Sequence, residues 1–139
     1  MKIGLLAALR GSAFQQRVKS WAHACFGSPI ANDVIERNHR FLEESLELVQ
    51  AAGCSQSEAH QLVEYVFGRD VGEISQEIGG VMVTLAALCA AQNRDMDLCA
   101  RNELERIEQP AIMNKIRAKQ AAKPKHSPLP QALLLEFRA

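Results

Sequence analysis

The sequence predicts an all-α protein, a helical bundle, and three observations carry that expectation. Apolar residues recur with the 3.6-residue period of a helix face in successive segments of the chain. Hydrophobic residues make up 47% of the sequence but aromatics only 5%, and the abundance of Ala and Leu favours helix over strand. No segment alternates apolar and polar residues, and no Asn-Gly turn marks a hairpin. The 139 residues suit a single domain, which we place at 1–121, with a Pro- and Lys-containing tail at 122–139.

Residues 1–11 read as a lightly docked arm. A first helix is expected from Ser12 to Phe26, with Phe14, Val18, Trp21, Ala22 and Cys25 on one face. "GSPIAND" then reads as a loop, because Gly27 follows the helix and Pro29 lies beyond it. The second helix starts at Asn32 or Asp33, where Asp33 and Glu36 have capping-box spacing, and ends at Gly53. Its apolar arc holds Val34, Ile35, Phe41, Leu42, Leu46, Leu48 and Val49, and its polar arc holds Glu36, Arg40, Glu43, Glu44 and Glu47. A third helix, capped by Ser55 or Ser57, is expected to pack Leu62, Val63, Val66 and Phe67. The fourth, from about Glu73 to Gln92, is apolar nearly all round, which predicts a place at the centre of the bundle. "NRD" ends it. A fifth helix covers Met96 to Glu108 and a sixth Ala111 to Ala122. The prolines of "KPKHSPLPQ" exclude a helix there, and the basic stretch reads as a solvated tail. "ALLLEF" is a candidate docking piece.

Charge and cysteine content narrow the function classes. Sixteen basic and sixteen acidic residues cancel, so no global field points to nucleic acid or to an anionic membrane. Cys25, Cys54, Cys89 and Cys99 match no zinc spacing and read as buried free thiols, implying a reducing, cytoplasmic setting. The N-terminal apolar run is shorter than a signal peptide needs, and no run approaches the roughly 18 apolar residues of a membrane span.

The chemistry lies in acids. Glu43, Glu44 and Glu47 fall within about 100° of arc on the second helix, where they repel one another. On the fourth helix Glu73, Glu77, Gly80 and Thr84 share a stripe, and the apolar neighbours Ile74, Ile78 and Val81 predict partial burial of Glu77. A buried carboxylate needs a partner or a proton. A divalent cation would relieve both repulsion and burial, and carboxylate oxygens are the hard ligands that Mg²⁺ and Mn²⁺ prefer. Against this stands an ordinary solvated acidic face. Glu36-x-x-His39 is half of a di-iron motif, but the second Glu-x-x-His is missing.

The pair "EESLE" at 43–47 and "QEIGGVM" at 76–82 resembles the ExxE…ExxD signature of the MazG-like all-α nucleoside triphosphate pyrophosphohydrolases. "PAIMNKIRAKQ" resembles the Asn/Lys-bearing helix near the end of that family's core. The resemblance covers about residues 30–121 and is similar to a phage-type branch. It implies a MazG-like helical bundle completed by oligomerisation, as a homodimer or homotetramer. It also implies Mg²⁺-dependent cleavage of a nucleoside triphosphate to monophosphate and pyrophosphate, with Mn²⁺ as an alternative metal, in nucleotide-pool house-cleaning.

Carried over residue by residue, Glu44, Glu47 and Glu77 are the expected metal ligands, and Asn114, Lys115 and Lys119 the expected phosphate contacts, with Arg117 on the same helix. Gly80 stands where the family has a fourth ligand, an aspartate. Glu43 or Glu73 is the residue we expect to replace that charge or to accept the proton of the attacking water. The alternative is a catalytically degenerate homologue that binds nucleotides or acts as an interaction protein. Nucleic acid and membrane are not expected partners, and Trp21 with residues 26–33 is the expected base pocket.

Overall fold

The structure is a computed structural model, and it describes residues 11–129. The arm at 1–10 and the "ALLLEF" segment lie outside the described residues. Seven helices follow one another and no strand occurs among the described residues: α1 Ala13–Phe26, α2 Ser28–Ala31, α3 Val34–Ala51, α4 Gln56–Phe67, α5 Ile74–Ala91, α6 Met96–Ile107 and α7 Pro110–Ala122. The all-α expectation holds. "GSPIAND" is not wholly loop, because Pro29 with its fixed φ opens a single helical turn, α2.

Local chemistry sets the helix ends. The Ser12 hydroxyl accepts from the Gln15 N–H at 3.1 Å, and Ser55 and Glu58 form a reciprocal capping box on α4. Asp95 accepts from the Leu98 N–H at 2.8 Å at the head of α6. At the far end of α3, Gly53 adopts φ 97°, and the Cys54 N–H reaches back to the Val49 carbonyl at 2.9 Å. Asn93 repeats this left-handed stop after α5, with φ 54° and the Arg94 N–H on the Cys89 carbonyl.

The chain divides into two compact units. Unit one combines residues up to Arg40 with those from Arg101 onward, and unit two is Phe41–Ala100. In unit one α1 packs on α2 and α7, and the buried residues are Ala22, Cys25, Leu104 and Glu36. Side chains seal its helix ends. Arg117 donates to the Cys25 and Ala24 carbonyls, each at 2.9 Å, which satisfies two orphan acceptors in the last turn of α1. The Trp21 indole donates to the Ile107 carbonyl at 3.0 Å at the end of α6, and its ring meets Phe26 edge-on at 5.5 Å. Arg17 forks onto Glu108, its Nε on Oε1 at 2.8 Å. Trp21 is therefore an element of packing in unit one.

The largest departure from expectation is at Glu36. Asp33 does cap α3, accepting from the Ile35 N–H at 3.0 Å and the Glu36 N–H at 3.3 Å. Glu36 does not complete the box. Its residue is only 4% exposed, with Oε2 2.6 Å from Lys123 Nζ and Oε1 3.3 Å from Arg40 Nε. The segment after α7 is thereby held on α3, where His126 Nε2 lies 3.0 Å from Asp33 Oδ2 and Arg40 donates to the Pro128 carbonyl at 2.7 Å. The solvated-tail expectation fails here, because the Lys123 side chain is as buried as the carboxylate it meets.

Unit two shows the opposite pattern. No residue from Phe41 to Ala100 is buried, and sixteen of the nineteen exposed large hydrophobic side chains belong to it. The expected packing of Leu62, Val63, Val66 and Phe67 is absent, and Phe67 is 85% exposed. α5, expected at the centre of the bundle, has no buried residue. Its eighteen residues have a mean hydropathy of 1.5, long and apolar enough by length and composition to cross a membrane, contrary to the expectation that no segment reaches that length. The cysteines are free thiols, but only Cys25 is buried; burial raises its pKa, partly offset by Arg117 and Arg37.

Removing the Glu36 carboxylate should be costly, because it leaves the Lys123 ammonium buried without its counter-charge. Glu36→Ala is expected to destabilise the protein by about 3–5 kcal/mol, read as a lower urea midpoint. The double change Glu36→Met with Lys123→Met should recover only the Lys123 share of that loss, because Arg40 still loses its carboxylate partner.

Candidate functional site

The acids of interest all lie in unit two, on α3 and at the head of α5. Glu43 is half-buried, whereas Glu44 and Glu47 are exposed. Helical spacing puts Glu43 and Glu44 one turn below Arg40 and Glu47 one turn further on. Gly53 and the capped α4 then lead the chain to α5.

Glu73 sits outside α5 in an extended conformation and is its N-cap. Its carboxylate accepts from the Gln76 N–H at 2.9 Å. Backbone hydrogen bonds from Ser75 and Gln76 hold its pKa below the ordinary 4.5, outweighing a small opposing effect of desolvation. A cap carboxylate with a depressed pKa is a weaker proton acceptor, so this geometry suits Glu73 to starting the helix rather than to activating water.

Glu77 follows in the first turn of α5. The expected partial burial is not found; the residue is exposed because nothing covers the apolar side chains around it. Its carboxyl folds over Gly72, where a Cβ would collide with Glu77 Oε1. Gly72 thus leaves room for the Glu77 carboxyl in this position. The sequence carried only a weak signal for this, a glycine five residues before an acid.

Gly80 has no atom within 4 Å of the position a Cβ would take, and neither does Gly79. A Cβ at position 80 would therefore stand in open space. The Thr84 hydroxyl donates to the Gly80 carbonyl at 2.9 Å. At Gly79, read as a point of close helix approach, no other helix among the described residues comes within 4 Å of where a Cβ would stand.

Asn114, Lys115 and Lys119 are exposed on α7, in unit one. The Asn114 side-chain oxygen accepts from Arg117 Nη1 at 3.1 Å. Arg117, also expected to face phosphate, is occupied by that contact and by the α1 carbonyls.

Among the described residues, no group of three or more His, Cys, Asp or Glu side chains is placed to hold a metal ion. Glu44, Glu47 and Glu77 do not converge within the single chain, so it supplies carboxylates of the right chemistry without a closed ligand set. Comparison with known protein families, with curated proteins and with solved structures finds no match.

The cap at Glu73 gives a pH signature. A carboxylate whose folded pKa is depressed contributes stability above its ordinary value and loses it as pH falls through the folded one. Thermal melts of the native protein should fall on acidification below the ordinary 4.5. Glu73→Gln should melt lower at neutral pH and show a shallower decline over the same acid range.

Proposed function

We propose that the chain is a divalent-metal-dependent nucleoside triphosphate pyrophosphohydrolase of MazG-like type, assembled from more than one copy and working in the cytoplasm. The observation that carries the reading is the pairing, in one compact unit, of Glu43-Glu44-x-x-Glu47 on α3 with Glu77 on the first turn of α5. Hydrolysis between the α and β phosphates needs neutralisation of the triphosphate and a deprotonated water. Bound Mg²⁺ supplies Lewis acidity and lowers the pKa of a bound water; Glu44, Glu47 and Glu77 are the carboxylates that would hold it. Glu43 is the proton acceptor in this reading, since Glu73 caps α5.

Assembly is part of the same reading. A sixty-residue unit with no buried residue cannot bury enough apolar surface alone to offset chain entropy. A second copy is the occupant that fits. The exposed apolar side chains run along α3, α4 and α5, and the chain carries no net charge to oppose self-association. A stable interface needs about 800 Å² per partner, and sixteen exposed large apolar side chains are enough to supply it. Glu77 in the first turn and the modest hydropathy of α5 favour a protein partner over lipid.

Gly80 supports a second reading, in which the same assembly binds nucleotides without cleaving them. The open space at its Cα position makes the distinction testable. With Mg²⁺ or Mn²⁺ and a panel of nucleoside triphosphates, pyrophosphate release is expected. Glu44→Gln and Glu77→Gln should each lower it by at least about a hundredfold. If no nucleotide yields pyrophosphate and Gly80→Asp creates turnover, the binding-only reading replaces the enzyme. Light scattering should give a dimer or tetramer, and Val83→Asp on α5 should shift it toward monomer; a monomeric native chain would overturn the assembly.

A further inference from the structure

The acids of unit two account for the phosphate end of a nucleotide and leave its base without a place. The same unit contains an open groove of about 690 Å³, lined by the turn at 52–54 and by Glu58, Gln61, Leu62 and Tyr65 of α4. Pockets for small ligands span about 300–1,000 Å³. At 100° per residue the four α4 side chains fall within about 100° of arc. Val63, Val66 and Phe67 fall on the opposite side of the helix, so the groove does not compete for the apolar face they offer to a second copy. Gly53, at φ 97°, adds no side chain to the turn that forms one wall.

The polar wall of the groove presents acceptors. Gln61 Nε2 donates to the Ser57 carbonyl and to the Ser57 hydroxyl oxygen, each at 3.3 Å. A carbonyl only accepts, so the nitrogen of the Gln61 amide is committed to Ser57. Its oxygen has no partner among the described residues. Glu58 Oε2 accepts from the Ser55 N–H at 2.7 Å and from the Ser55 hydroxyl at 2.8 Å. The backbone bond first, then the hydroxyl, with help from the Cys54 thiol and against a desolvation effect, holds the Glu58 pKa below the ordinary 4.5. The wall is therefore negative near neutral pH, and no basic side chain lines the groove. An anion does not suit it.

The other wall is apolar and flat. Leu62 and Tyr65 lie one turn apart from Glu58 and Gln61 on the same face of α4. The Arg69 guanidinium covers one face of the Tyr65 ring at 4.3 Å from its centroid, which steadies the ring and leaves the opposite face for a ligand. A ligand that fits both walls has a planar aromatic body and N–H donors along one edge. Among nucleobases guanine alone places two donors side by side, its N1–H and its 2-amino group. Hypoxanthine lacks the amino group, uracil sets one N–H between two acceptors, and adenine and cytosine each pair an amino group with an acceptor.

We infer that this groove binds a guanine base, its N1–H and 2-amino edge on Glu58 and Gln61 and its ring against Tyr65. The choice of a base among planar heterocycles rests on the nucleotide reading proposed above, and it makes a guanine nucleotide the substrate class of that site.

The test uses the full-length chain with a chelator and no added metal, so that the acids of the proposed metal site play no part. The 5′-monophosphates of guanosine, inosine, adenosine, cytidine and uridine are titrated in turn; they share the phosphate and differ in the base. Tyr65 is the single tyrosine of the chain, so its ring resonances report on the groove in the native protein. Guanosine monophosphate should shift them and bind at least about tenfold more tightly than inosine monophosphate, which lacks only the amino group. It should also slow alkylation of half-buried Cys54 while exposed Cys99 reacts as before. Gln61→Leu should weaken binding about tenfold, and Tyr65→Ala by at least as much through lost stacking.

Equal affinity for all five nucleotides would overturn the inference, and so would Tyr65 resonances that stay in place. Failure of the enzyme reading is told apart by pyrophosphate release. Selective guanine binding with no release from any triphosphate leaves the groove standing and removes the enzyme. Release of pyrophosphate with no response at Tyr65 or Cys54 removes the groove and leaves the enzyme.

Discussion

Sixty consecutive residues without a buried side chain cannot hold themselves together by the hydrophobic effect. Each large apolar side chain contributes about 1.5–3 kcal/mol only when it leaves water, and along α3, α4 and α5 these side chains remain in it. Capping and helical hydrogen bonds define where those helices begin and end, but they do not supply a core. The rest follows from this constraint. The acids of α3 and α5 are not drawn together, Glu77 is exposed, and the glycines of α5 have no neighbour to admit.

Unit one solves its own stability differently. Its few buried residues are small or charged apart from Leu104, and much of its cohesion is polar. Arg117 and Trp21 close helix ends, Arg17 ties α1 to Glu108, and Lys123 is held on Glu36. Such contacts are directional and few, so each carries more of the structure than one apolar contact among many would. A charged residue buried on one pair also depends on that pair being complete.

The helices were legible because their signals are local. The Ser55–Glu58 box, Asp33, Gly53 and the 3.6-residue periodicity specify ends and faces within a few residues of chain. Which face is covered was not legible. The apolar arc of α3 predicts burial of Leu42 and Leu46, yet the buried residue is Glu36 on the opposite arc, since its partner Lys123 lies far along the sequence. Periodicity reports what a helix would bury, not whether the same chain provides the cover. Glu73 shows a related limit: spacing places it on the stripe with Glu77, while the helix actually begins after it, turning a stripe residue into a cap. The acidic pattern was visible as residue types, but its closure depends on packing that one chain does not contain.

The cross-links of unit one join residues far apart in sequence: Trp21 with Ile107, Arg17 with Glu108 and Arg117 with Ala24 span 86, 91 and 93 positions. During synthesis α1 emerges at least 86 residues before these partners. Loop closure over such distances slows folding, and the intervening α4 and α5 can become helical while their apolar surfaces are still uncovered. Between emergence of α1 and arrival of α7, the last turn of α1 lacks the side chain that closes it. In that interval unit one is incomplete and open to aggregation, and its length is set by the 93 positions that separate Arg117 from Ala24.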